Sequence, residues 1–297
     1  MDSRTALTLQ GDELAGLLST VSDGRVHHPA DIAGSSEDRS LETSPESYPA
    51  WRAASLAAFS ELKAQGLLPR EARLQTSVPV TMGNSGSPGQ SGEAEAETSV
   101  NSALPAHIAR IAAALPAAEC AIQLELPYAA LSEATRASTD ADAATGRAAF
   151  VAEALRVIEA VPGDVELSLH FDCRDGARFT MTPSDAEVMA ELAREILARA
   201  SRPVDLIHIP VPLRHESDAF FSGLASLEPP PATRLCLGLI HLSDGLEGAR
   251  RRIDLARRHL ATFAIAARSG FAARPPDAIR PFLRLHAEVA REMAALS

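Results

Sequence analysis

The chain has 297 residues, a formal net charge of −11 and a hydrophobic content of 46%. That is an ordinary globular composition, long enough for one large α/β barrel or two smaller domains, and it excludes a disordered or fibrous chain. With acidic residues outnumbering basic ones 39 to 28, no basic face is available for nucleic acid. All but one of the basic residues are arginine, and the exception, Lys63, falls in an amphipathic stretch, FSELKAQG, on its polar side. Schiff-base and pyridoxal chemistry, which need a lysine in a pocket, are therefore set aside.

No apolar run reaches the roughly 18 residues of a membrane-spanning helix. The opening Met-Asp-Ser-Arg-Thr lacks the charged-then-apolar layout of a signal peptide. Cys120, Cys173 and Cys236 are too widely spaced for a CxxC pair or a disulfide framework, which points to a reduced, cytoplasmic protein. None of GxGxxG, GxSxG, GKS/GKT or HExxH occurs.

In chain order, Ala33–Ser47 (AGSSEDRSLETSPES) reads as a surface loop, and a helix is expected at about 48–65. Strands are expected at 73–80, 120–126, 165–171, 205–211, 234–241 and 262–267, where apolar and β-branched residues run together. Helices are expected between and after them at 102–115, 145–160, 184–200, 246–260 and 281–295. Gly83–Ser99 (GNSGSPGQSGEAEAETS) has no large apolar group and is expected to be disordered. Ser184-Asp-Ala-Glu187 reads as a capping box. Arg250-Arg-Arg252 and Arg257-Arg258 recur seven residues apart and are expected on a solvated helix face. Helices alternating with short buried strands mean parallel βα units. A single closed (β/α)8 TIM barrel fits better than an open sheet, with residues 1–47 holding worn first units and residues 48–297 the rest.

In such barrels chemistry sits where strands end. Strand 120–126 presents Gln123 and Glu125, and strand 165–171 leads through His170 to Asp172. The next two strands carry His208 and His241, the latter followed by Asp244 in a helix-capping turn. The last strand finishes at Arg268 and Ser269, with Arg274 beyond. His170, His208 and His241 are candidates for acid–base work, with Asp172 orienting one of them. Gln123, Glu125, Asp244, Arg268, Ser269 and Arg274 are candidates for substrate binding, the arginines as clamps for an anionic group.

The segments DLIHIPVP (205–212), LGLIHLSDGLEGARRRI (237–253) and SGFAARPPDAIRPFLRLHAEVA (269–290) resemble stand-alone barrels related to the C-terminal domain of cobalamin-independent methionine synthase. Uroporphyrinogen decarboxylase shares that superfamily. FSELKAQGLLPREARLQTSVPV (59–80) and AIQLEL (121–126) resemble earlier parts of the same proteins. The resemblance implies a TIM barrel with a pocket at its C-terminal rim. It also implies a zinc held by a His-x-Cys pair, a Glu and a distant Cys, activating a thiol for methyl attack.

Here the sequence departs from the family. His170 matches the histidine, but its paired cysteine position is Asp172, and the distant cysteine position is Ser269, preceded by Arg268 where the family has an acidic residue. Cys173 is one residue out of register, which on a strand turns it to the opposite face. The family's acidic N-terminal motif is replaced by His27-His28-Pro-Ala-Asp31. A thiolate-bound zinc is expected to be lost, so no cofactor is expected. Any remaining metal would be a harder ion on His170, Asp172 and His241 or His208.

The expected function is that of a small-molecule enzyme with methyl or one-carbon transfer as its class, in specialised rather than central metabolism. The alternatives are a lyase or decarboxylase working through the His/Asp groups, and a non-catalytic binding paralogue. The expected partner is a small substrate, with neither nucleic acid nor membrane involved.

Overall fold

The computed structural model describes residues 48–81, 91–136, 138–173, 180–213, 217–268 and 276–295. Residues 1–47, including the His27–Asp31 segment and the expected loop at 33–47, lie outside them. So do Ser269 and Arg274. Two compact units are distinguished: Met1–Leu74 with Leu242–Leu246 and Gly270–Ser297, and Gln75–His241 with Glu247–Ser269.

In the first unit, helix α1 (Tyr48–Ala64) ends at Gly66, whose φ of +71° is a left-handed conformation that a side chain would oppose. The amides of Gly66 and Leu67 close back onto the carbonyls of Lys63 and Leu62. Lys63 lies over the Phe59 ring and donates to the Ala72 carbonyl at 3.1 Å, so it fastens the turn after its own helix. The C-terminal helix of this unit, α8 (Pro276–Ala295), buries Phe282 and Val289 completely or nearly so.

The second unit carries most of a six-stranded sheet. In chain order come β1 (Leu74–Pro79), α2 (Ser91–Ala112), β2 (Cys120–Leu126), α3 (Tyr128–Arg136), α4 (Asp140–Ile158) and β3 (Glu166–Phe171). There follow α5 (Pro183–Arg199), β4 (Leu206–Pro210), α6 (Asp218–Leu224), β5 (Arg234–Ile240), α7 (Gly245–Arg257) and β6 (Ala264–Ala267). The sheet order is β1-β2-β3-β4-β5-β6, and every pairing from β2 to β6 is parallel. Because crossovers between parallel strands are right-handed, an order that never reverses puts every connecting helix on the same face. That face takes one alternating set of side chains, including Leu124, Leu169, Ile207 and Leu237, all fully buried. The expected class, α/β with parallel strands, is observed, with six strands among the described residues where the sequence suggests eight.

The sheet is curled. After β6, Arg268 donates through a terminal guanidinium nitrogen to the carbonyl of Cys173, past the end of β3, at 2.5 Å. Three strand spacings on a flat sheet would separate those ends by about 14 Å, further than one arginine spans. The opposite ends of the strands are stapled by Arg202, which donates to the Val161, Pro162 and Val165 carbonyls, and by Asp205, which accepts from the Leu167 amide at 2.9 Å. Thr233 adds a bond to the Val204 carbonyl at 2.7 Å.

Four local expectations are corrected. Helix α2 begins at Ser91, so the second half of the expected disordered segment is helical; its alternating Glu and Ala are good helix formers. Asp140 opens α4, five residues earlier than the apolar pattern suggests, with Thr139 as its cap accepting from the Asp142 amide. The capping box of α5 is built two residues earlier than expected, on Thr182 and Asp185. Arg252 is not on a solvated face: it is wholly buried and donates to the Leu239 carbonyl at 2.7 Å. Among the described residues no helix is long and apolar enough to cross a membrane, and all three cysteines are buried and outside any disulfide.

Candidate functional site

The face of the sheet turned away from the helices is polar. Pairing register places Glu125 opposite His170, His170 opposite His208, and His208 opposite Cys236, so four titratable side chains form one row across β2, β3, β4 and β5. A row nearer the strand starts contains Gln123 and Ser168. On β2 and β3 two alternating residues on this face are thus polar, while their neighbours fill the apolar layer beneath the helices.

His170 and His208 meet. Their ring centroids are 4.4 Å apart at 34°, and both side chains are buried, at 2% and 8% exposure. Burial drives the His208 pKa well below the ordinary 6.5, and the neighbouring His170 lowers it further, against a smaller opposing pull from the Ala267 backbone. His208 is therefore a neutral imidazole at physiological pH, a proton acceptor or a hydrogen-bonding group rather than a fixed cation.

Asp172 stands two residues beyond His170. The backbone ladder continues past β3, with the Asp172 amide donating to Leu126 and the Asp172 carbonyl accepting from Ala129, so the alternation keeps its buried side chain on the histidine face. Cys173 goes the other way. Its thiol acts electrostatically on Tyr128, which packs edge-on against Phe171 at 6.1 Å, among the helix-side residues.

The remaining candidates are placed differently. Gln123 is engaged in an amide ladder, accepting from Gln75 at 3.1 Å and donating to Ser77 at 3.2 Å. His241 is held by its Nε2, which donates to the Val211 carbonyl at 2.9 Å, and this fixes which nitrogen carries the proton. Arg268 is committed at least in part to the Cys173 carbonyl. Asp244 belongs to the other compact unit.

Three features escape a reading of residue types. Cys236 completes the row with a thiol that burial pushes up to about 12, so it is inert rather than nucleophilic. Gly238, the partner of Pro210, sits where any side chain would strike the His208 ring. Behind the site, the buried Asp185 carboxylate gathers Tyr128 and Ser132 at 2.8 Å each, Thr182 through both its amide and its hydroxyl, and Arg136 at 2.5 Å. Burial pushes the Asp185 pKa up, but the bonds from Thr182, Ser132 and Tyr128 together outweigh it and the pKa is lowered. A glycine inside a strand, in LCLGLI, is the one signal of the three visible in sequence.

Asp172 thus lies on the histidine side and Cys173 on the helix side, while Ser269 is outside the described residues. Among the described residues, no three His, Cys, Asp or Glu side chains converge to hold a metal.

No protein-family model matches the chain, and no curated protein is significantly similar to it. Among solved structures, the chain is similar to the "Putative Vitamin-B12 Independent Methionine Synthase from Listeria monocytogenes". The two are 16% identical with a TM-score of 0.45, over 75% of this chain and 66% of that one, so the match spans just under two thirds of that structure's length.

Proposed function

We propose that this chain is a small-molecule enzyme on a (β/α)8 barrel of the methionine-synthase-like kind, transferring a methyl or other one-carbon group, with His170 and His208 handling the proton. The observation that carries the reading is the buried histidine pair, ring to ring at 4.4 Å, on the concave polar face of the sheet. The never-reversing strand order supports the barrel, because helices on one face alone leave the other to close on itself.

The chemistry follows from the pair's protonation. When a neutral nucleophile X–H takes a methyl group, the X–C bond forms, the bond from carbon to the donor's leaving group breaks, and the proton of X must go to a base. A neutral imidazole near pH 7 is suited to that transfer. The adjacent partner ring limits the pair to one positive charge. Thiolate-bound zinc plays no part, since the donor set does not fit it. The same buried polar row also fits a decarboxylase or lyase, which is the second reading.

The test is a labelled-methyl screen. Purified protein is incubated with 13C-methyl sulfonium, N-methyl and S-methyl donors and with thiol and amine acceptors, and products are read by NMR. Transfer is expected in the wild type, at least about 100-fold slower in His170→Ala and undiminished in Cys173→Ser. Release of carbon dioxide from carboxylic acids in place of transfer would replace this reading with the lyase. A dead but folded Cys173→Ser would restore a thiolate role.

A further inference from the structure

We infer that Gly238 is the positioning residue of His208: the side chain missing from β5 is the space that the imidazole occupies. This rests on the reading above for its importance to chemistry, but its geometry stands on its own. A Cβ at position 238 would lie 2.7 Å from His208 Nε2, 2.8 Å from the Arg268 Cα and 3.1 Å from the Ala267 carbonyl oxygen. Real Cβ atoms do not come as close as the first two of these, and the third is tighter than nearly all real contacts. Two of the three atoms are backbone at the end of β6, so they cannot turn aside as a flexible side chain does.

The ring is held from two sides. His170 packs its ring against it from β3 at a tilt of 34°, and the void above Gly238 receives its Nε2 edge beside the β6 backbone. The glycine is not there for its conformational range, since its φ is not positive and it pairs in register with Pro210. It is there for volume. Among the described glycines, the two with positive φ, Gly66 and Gly245, have nothing near a notional Cβ, which is the reverse situation. A larger residue at 238 has two outcomes open to it: expel the imidazole from its stack on His170, or push β6 and Arg268 away from β5. Either one undoes the alignment of the pair.

The experiment uses the full chain with 13C,15N-labelled histidine. In the wild type, NOEs are expected from the His208 ring protons to the Gly238 Hα protons. In Gly238→Ala the His208 ring resonances are expected to move and the ring contacts to His170 to be lost. A merely structural glycine would lower thermal stability and leave the ring where it was; a folded Gly238→Ala with unchanged His208 signals overturns the inference. Should Gly238→Ala fail to fold, the wild-type spectrum decides: NOEs between the His208 ring protons and the Gly238 Hα protons support the inference, and their absence overturns it. These readouts need no substrate. If the methyl-transfer screen fails while the NMR result holds, the functional reading falls and the positioning of His208 remains.

Discussion

At the scale of single residues, the neutral His208 ties the site to stability. Its pKa lies well below 6.5 in the folded chain, first through burial and then through His170, whereas in the unfolded chain it is ordinary. Between those two values the unfolded state binds a proton that the folded state refuses. Stability contributed by the neutral ring is therefore complete above about pH 6.5 and declines as pH falls below it, until the folded ring itself titrates. Replacing His208 by Gln keeps a polar group of similar reach and removes the titration. Thermal melts from pH 7.5 to 4.5 are expected to show a shallower loss of Tm below pH 6.5 in His208→Gln than in the wild type. Parallel curves for the two proteins would mean that His208 titrates alike in the folded and unfolded chain, and the acid–base assignment of the pair would go with it.

At the scale of elements, helix α7 shows what charge patterning hides. Successive helix positions are about 100° apart, so Arg250, Arg251 and Arg252 sweep about 200° of the surface and cannot all face water when the opposite stripe is apolar. Arg250 reaches Glu247 in solvent, while Arg252 is enclosed and bonded to the Leu239 carbonyl. Arg252→Ala is expected to cost about 3 kcal/mol in urea denaturation, because it opens a cavity and strands a buried carbonyl. Arg250→Ala is expected to stay within about 0.5 kcal/mol. Equal midpoints for the two variants would remove the buried role. Strands were the legible part of this chain. Cys120–Leu126 reads off residue for residue, because its apolar residues alternate with Gln123 and Glu125 at strand period between Glu119 and Pro127. The short α6 (Asp218–Leu224) is not legible, since seven residues give too little period, and its burial of Phe220 and Phe221 is a tertiary fact. The start of α2 misleads for the opposite reason: Glu-Ala-Glu-Ala-Glu is polar enough to read as disorder and helix-prone enough to fold. In the site, His170 and His208 could be named from the strand ends. Their stacking depends on cross-strand register, and the vacancy at Gly238 depends on how closely β6 approaches β5; neither is local in sequence.

At the scale of the molecule, curvature is what turns a row of polar residues into a site. A flat sheet would spread Glu125, His170, His208 and Cys236 along a line at about 4.8 Å per strand, with the ends of β3 and β6 out of each other's reach. The bond from Arg268 to the Cys173 carbonyl is a chord across that curve, drawn between the segment that follows His170 and the segment against which His208 rests. It is charge-assisted and partly buried, so its loss should be felt locally more than globally. β6 has only four residues, half of them in irregular register with β5, so it has few bonds of its own to hold it once the chord is cut. Native-state hydrogen exchange on Arg268→Ala is expected to show the Ile265–Ala267 amides exchanging about tenfold faster, with the Ala121–Leu126 amides unchanged. Such a result places β6 in its own opening unit, tethered by one side chain. Uniform acceleration across both strands would show instead that Arg268 supports the whole fold, and unchanged exchange would show that the curl is kept by the backbone ladder alone.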